Sequence, residues 1–165
     1  MTSRPAVAAI AVIAAVAAAV WWYTSRSDEA EIRRRLDRLA AEINTGVTEG
    51  LATTVRAATI GTYFTDDVTI DLGPGTAPLH GRETVVGMAA RLQPRTSVFR
   101  LKFVDITPKV SSDRASATVS LTAEITNTSV STGEQSLDAR EFALVMAHAG
   151  GVWLISHVAA VETIK

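Results

Sequence analysis

The stretch YFTDDVTIDLG, residues 63–73, sets two adjacent aspartates, Asp66 and Asp67, and a third, Asp71, at the start of an alternating run. A carboxylate there could serve as a general base if it faced an apolar cavity that raised its proton affinity. Further on, Asp138 and Arg140 stand two apart in LDAREF, and His157 follows Trp153 and Ile155 at a spacing of two. Asp71, Arg140 and His157 are therefore the candidate catalytic residues, by type able to move a proton or hold an anion. Each has a structural reading beside it. Asp66 and Asp67 stand where the chain enters a strand and stabilise a turn through their own backbone. Asp138 and Arg140 share one face of a strand, as an ion pair of small consequence. His157, in a row with apolar residues, is a packed or surface histidine.

Several chemistries are excluded outright. The chain has no Cys, and His80, His148 and His157 are scattered, so neither a thiolate nor a metal-ligand spacing is present and no cofactor is expected. No serine occupies a G-x-S-x-G elbow. Gly73-Pro74-Gly75 is turn chemistry, too short and wrongly placed to cradle a phosphate. A net charge of -1 over 165 residues gives no basic face for nucleic acid.

The elements that would position these residues follow from periodicity. Residues 5–23, PAVAAIAVIAAVAAAVWWY, carry no charge and end in aromatic residues, which reads as a membrane-spanning anchor with an interfacial belt. The alternative is a cleaved signal peptide, for which Ala17 and Ala19 supply a small-x-small site. The amino terminus is expected inside and the domain outside the cytoplasm. Residues 1–27 are thus anchor and linker, and residues 28–165 one domain. Ser27-Asp28-Glu29 starts a helix whose buried stripe is Ile32, Leu36, Leu39, Ala40 and Ile43, closed at Gly46. A second helix is expected from about Thr48 to Thr59. A third carries Val85, Met88, Ala89 and Leu92 and stops before Pro94, with Gly81-Arg82-Glu83 as its start. The remainder is β. Residues 115–126 alternate strictly between apolar and Ser, Thr or Glu, as a half-buried antiparallel strand does. Strands at about Val98 to Thr107, Leu137 to Ala147 and Val152 to Val161 complete a four-stranded meander, with VTIDL as an extra strand. The fold class is α+β: three helices packed on a curved, mainly antiparallel sheet.

NTG ending the first helix, YFTDDVTID entering the first strand, HGRETVVGM opening the third helix and the closing GGVWLISHV stand in an order that resembles the nuclear transport factor 2-like superfamily. That superfamily includes SnoaL-like domains and ketosteroid isomerases, and the resemblance covers about residues 28–162. It implies a cone-shaped domain with an apolar pocket between sheet and helices. Carried over by register, the pocket lining would be Leu39, Ile43, Phe64, Leu72, Met88, Val119, Leu121, Arg140, Phe142 and Val158. The isomerase pattern has lost its chemistry here. Its general base falls on Leu72, its phenol on Leu39 and its neutral carboxylic acid on Arg140. The Arg-x-Asp pair of the superfamily's epoxide hydrolases is reversed, as Asp138-x-Arg140.

The resemblance and the residues together imply a membrane-tethered, non-catalytic module that binds a small hydrophobic acid or another protein. The alternative is an enzyme on a small hydrophobic substrate, using Arg140 with Asp71 or His157. Members of the superfamily often pair through the open sheet face, so a homodimer is expected, with Trp153, Ile155 and His157 as its patch. Arg140 is expected to face the cavity, with Glu42 as its internal counter-charge.

Overall fold

The computed structural model describes residues 27–45, 51–91, 97–129 and 131–161, and beyond these only residue 14. The apolar run 5–23, Gly46, the start of the second helix at Thr48 and Leu92 lie outside these ranges, residue 14 excepted. Among the described residues no helix is long and apolar enough to cross a membrane.

Three helices pack on one six-stranded sheet. Helix α1 (27–44) buries Ile32, Leu36, Leu39 and Ala40, the stripe that its 3.6-residue period dictates, and half-buries Ile43. Helices α2 (Leu51–Gly61) and α3 (Arg82–Arg91) lie against each other. The strands are β1 (Phe64–Asp71), β2 (Leu79–His80), β3 (Ser97–Val110), β4 (Ser116–Ser129), β5 (Gln135–Ala149) and β6 (Val152–Ala160), in the spatial order β2-β1-β6-β5-β4-β3. The β3 to β6 meander is antiparallel, and β1 joins β6 in parallel. β2, a two-residue strand, is an element the periodicity did not reveal. β3, β4 and β5 run longer than the alternation suggested, into the turns expected on either side.

Two hairpins are set by local chemistry. Gly150 and Gly151 both take positive φ (59° and 80°), as a two-residue loop between β5 and β6 requires. Between β3 and β4, Arg114 itself takes φ 56°. It reaches back to α1, donating from Nε to Asp28 Oδ2 at 2.6 Å and from Nη2 to Asp28 Oδ1 at 2.9 Å. Asp28 is buried at the positive end of the α1 dipole, so the pair fixes the helix start to the hairpin. That hydrogen bond is the main reason the Arg114 pKa is raised.

The other end of α1 is held twice. The Asn44 side chain acts as a strand would: its Nδ2 donates to the Leu101 carbonyl and its Oδ1 accepts from the Leu101 N–H, both at 2.6 Å. It thereby covers part of the outer edge of β3. Arg56 of α2 donates to the Glu42 and Ile43 carbonyls at 3.0 and 2.6 Å, satisfying groups that a helix C-terminus leaves free. Arg82, the first residue of α3, donates from Nε and Nη2 to the Phe64 carbonyl, at 3.0 and 2.7 Å. It also pairs with Asp66 at 2.8 Å. Phe64 begins the stretch where the β1–β6 register shifts, so Arg82 clamps the irregularity to α3. Asp66 is held in that exposed ion pair, and among the described residues its expected bond to its own backbone is not formed. Asp66 and Asp67 lie within β1, just past the turn at Thr62 and Tyr63.

Candidate functional site

Cross-strand register places the side chains on the two faces of the sheet. On the concave face, under the helices, one row reads Val119, Leu144, Val158 and Ile70, and the next Leu121, Phe142 and Ala160. Beyond them come Phe103, Ala123 and Arg140, then Leu101, Ile125 and Asp138. Burial falls along these rows. Met146 and Leu144 on β5 are buried, Phe142 is half-buried, and Arg140 and Asp138 are exposed.

Of the expected pocket residues, Leu39, Phe64, Val119 and Leu121 belong to the buried core, and Ile43, Leu72, Phe142 and Val158 pack against it. Met88 is the exception, 36% exposed on the rim of α3, whose buried contact is Val85. Arg140 lies on the expected face but beyond the cover of the helices. The expectation of a buried cation is corrected: Arg140 is exposed, and among the described residues it pairs with neither Glu42 nor Asp138. The ion pair expected between Asp138 and Arg140 is likewise not formed. Three of the chain's four phenylalanines, Phe99, Phe103 and Phe142, are half-buried on this same face around the open end.

The remaining candidates are on the other side of the sheet. Asp71 alternates with Ile70 and lies opposite Ala159, and its Oδ1 accepts the Gly73 N–H at 2.9 Å, holding the turn that follows. His157 lies opposite Val145 and Thr69 on the convex face, and Thr69 in turn meets His80 Nδ1 at 3.2 Å. The sheet register therefore puts Arg140 on one face and Asp71 and His157 on the other. His148 stacks on Trp153, with ring centroids 4.8 Å apart. Among the described residues no group of His, Asp and Glu could hold a metal ion.

A register shift in β6 overturns the expected dimer patch. Met146 lies opposite Ile155, whereas the next residue back, Val145, lies opposite His157, so Ser156 is the extra residue of a bulge. Before the bulge Trp153 and Ile155 point to the concave side, 0% and 2% exposed; after it Val158 does. Trp153 and Ile155 are core residues, not surface ones. Leu154 and Ser156 lie off that row, and the Ser156 hydroxyl donates to the Val145 carbonyl at 3.1 Å.

Residues that position the site escaped the sequence reading. Arg35 donates to the Thr62 carbonyl at 2.8 Å and its guanidinium lies 4.8 Å over the Tyr63 ring. Burial is the first cause of its lowered pKa. Arg56, Arg82, Arg114 and Asn44 belong to the same set. An arginine in a sequence does not announce which distant carbonyl it will reach.

Three helices over an antiparallel meander with an apolar face toward them have counterparts among known proteins. The family model for the SnoaL-like domain matches residues 24–159. The chain belongs to the SnoaL-like domain family. The fold is similar to that of a Catenulispora acidiphila protein in complex with S-DNPA, with TM-score 0.65 and 16% identity over 82% of this chain and 92% of that one. It is similar also to a Novosphingobium aromaticivorans protein provisionally named a scytalone dehydratase, with TM-score 0.67 and 12% identity over 86% and 87% of the two chains. A protein of that organism provisionally named an aromatic ring hydroxylase matches with TM-score 0.65 and 12% identity over 84% and 91%. At these identities the likeness of the SnoaL-like domain to them is one of fold. No curated protein matches the chain in sequence.

Proposed function

We propose that this SnoaL-like domain is a non-catalytic module that takes a small hydrophobic acid at the open end of its concave face, and that residues 5–23 tether it to a membrane. One observation carries the binding reading. The positions that would hold an isomerase's base and phenol are Leu72 and Leu39, while the exposed cation beside the phenylalanines is Arg140, with Asp138 one row further out. An apolar shelf with one cation at its mouth suits a ligand with an aromatic or aliphatic body and a carboxylate. The bound S-DNPA of the Catenulispora protein supports ligand binding as a use of this fold.

The test is a thermal-shift series with fatty and aromatic acids on the parent and on Arg140→Leu. Because Arg140 is exposed and in no ion pair among the described residues, its replacement should move the unmodified melting temperature little. The parent should rise by several degrees at millimolar acid and the variant should not. If no acid stabilises the parent, the binding role fails.

Tethering rests on the nineteen uncharged residues 5–23 closed by Trp21, Trp22 and Tyr23. The full-length protein is expected to stay with membranes through carbonate extraction, with the domain on the extracytoplasmic side. A soluble product beginning near Val20 would mean that the segment is a cleaved signal.

The second reading is an enzyme on a small hydrophobic substrate. It draws on the provisional names of the two Novosphingobium proteins, a dehydratase and a hydroxylase. Against it stands the separation of Arg140 from Asp71 and His157 by the sheet.

A further inference from the structure

The domain has two unlike ends, and α1 enters at the one opposite Arg140. Asp28, at the start of α1, is held by Arg114 of the β3–β4 turn, and the His148 N–H donates to the neighbouring Ala115 carbonyl at 2.9 Å. The turn at Gly150 and Gly151 and the one at Thr62 and Tyr63 lie at this same entry end, since Ser116 stands opposite Ala147 and Phe64 opposite Ile155. Arg140 stands opposite Ala123, seven residues along β4 from Ser116, or ~23 Å at the rise of a strand. The straight axis of α1 measures the same distance: Asn44 lies ~24 Å from Asp28 and bonds to Leu101, in the next row out. At the entry end the side chains are small or already engaged. Ser112, Ala149, Gly150 and Gly151 are its exposed tips. Asp113 accepts from the Ser111 hydroxyl and the Ala115 N–H, and Arg114 donates to Asp28.

We infer that the entry end stands on the headgroups of the membrane that holds residues 5–23, and that the Arg140 end opens away from it, so that a hydrophobic acid enters from water and not from the bilayer. This rests on the tethering proposed above. Chain length carries it. Tyr23 closes the apolar run at the interface, and Asp28 is five residues on, a reach of at most ~18 Å. With the Arg140 end turned down, the length of α1 alone would hold Asp28 ~24 Å above the surface, beyond that reach. Laying the domain on its side along α1 would press that helix on the headgroups. Residues 27–44 carry five acidic side chains against four arginines, so an anionic surface offers them no net attraction. The upright arrangement has neither difficulty. Its small tips come close to the headgroups without stranding a charge, and the exposed Lys109, near the β3–β4 turn, suits anionic lipid.

Because the chain contains no Cys, one introduced cysteine carries one fluorescent label. Full-length protein is reconstituted into vesicles of phosphatidylcholine and phosphatidylglycerol. The label is placed at Ser112→Cys or Ala149→Cys at the entry end, or at Thr132→Cys in the β4–β5 turn beyond Arg140, all exposed positions. A nitroxide carried on the lipid headgroups should quench the Ser112→Cys and Ala149→Cys labels several-fold more than the Thr132→Cys label. Iodide in the water should show the reverse order. Either entry-end position reads the result if the other variant does not fold. Equal headgroup quenching at both ends, as in a domain lying on α1, overturns the proposal, and so does stronger quenching at Thr132→Cys. Protein that does not float with the vesicles fails the tethering reading itself, and this proposal falls with it.

Discussion

Trp153→Ala is expected to lower the free energy of unfolding by about 3–5 kcal/mol, while His157→Ala, four residues on, changes it by under about 1 kcal/mol. The two lie on opposite faces because the bulge at Ser156 separates them. Trp153 is fully buried, so truncation leaves a large cavity in the core cluster that also holds the fully buried Met146 and Ile32. His157 loses only a half-buried ring on the convex side. Trp153→Phe should cost far less than the alanine change. It keeps most of the ring and removes an indole N–H that finds no partner among the described residues. Urea unfolding of the three variants checks the ranking. Equal losses at 153 and 157 would mean that the two share a face after all.

The second large effect is steric. A Cβ added at Gly61 would stand 2.6 Å from Val86 Cγ2, closer than real Cβ atoms come to anything. Gly61 closes α2 against α3, and its backbone is not in the left-handed region, so contact alone decides the outcome. The Val86 side chain is short and half-buried, and the helices must part to accept the methyl. Gly61→Ala should therefore destabilise by about 1–3 kcal/mol, as overpacking does. Val86→Ala in the same chain should recover most of that loss, a coupling that distant sites do not show. If Gly61→Ala proves neutral, α2 and α3 are free to shift apart and the contact is not limiting. Because the β1 start and the Arg82 clamp lie beside this junction, the two helices must keep their spacing for β1 to keep its register.

How much of this was open to a reader of the sequence differs from element to element. The stripe of α1 needed only the 3.6-residue period, because Ile32, Leu36, Leu39 and Ala40 can share a face in no other regular structure. The alternation of β4 was as plain, and Ala117, Val119, Leu121 and Ala123 are buried as it required. The α+β class and the resemblance to SnoaL-like domains followed from the order of such elements. These are short-range properties: each is written within a dozen residues.

Tertiary structure alone decided the rest. A one-residue bulge inverts every side chain after it, and Ser156 carries no local mark that distinguishes it from its neighbours. Hence Trp153 and Ile155 moved from an expected surface patch to the core. Arg140 kept its expected face, but whether that face is covered depends on how far the helices reach over the sheet. The separation of Asp71 and His157 from Arg140 is likewise a matter of sheet faces. The short β2, the parallel pairing of β1 with β6, and the arginine and asparagine bonds to distant carbonyls all join residues far apart in the chain. Local periodicity tells which face of an element is apolar; only the pairing of remote segments tells what that face meets.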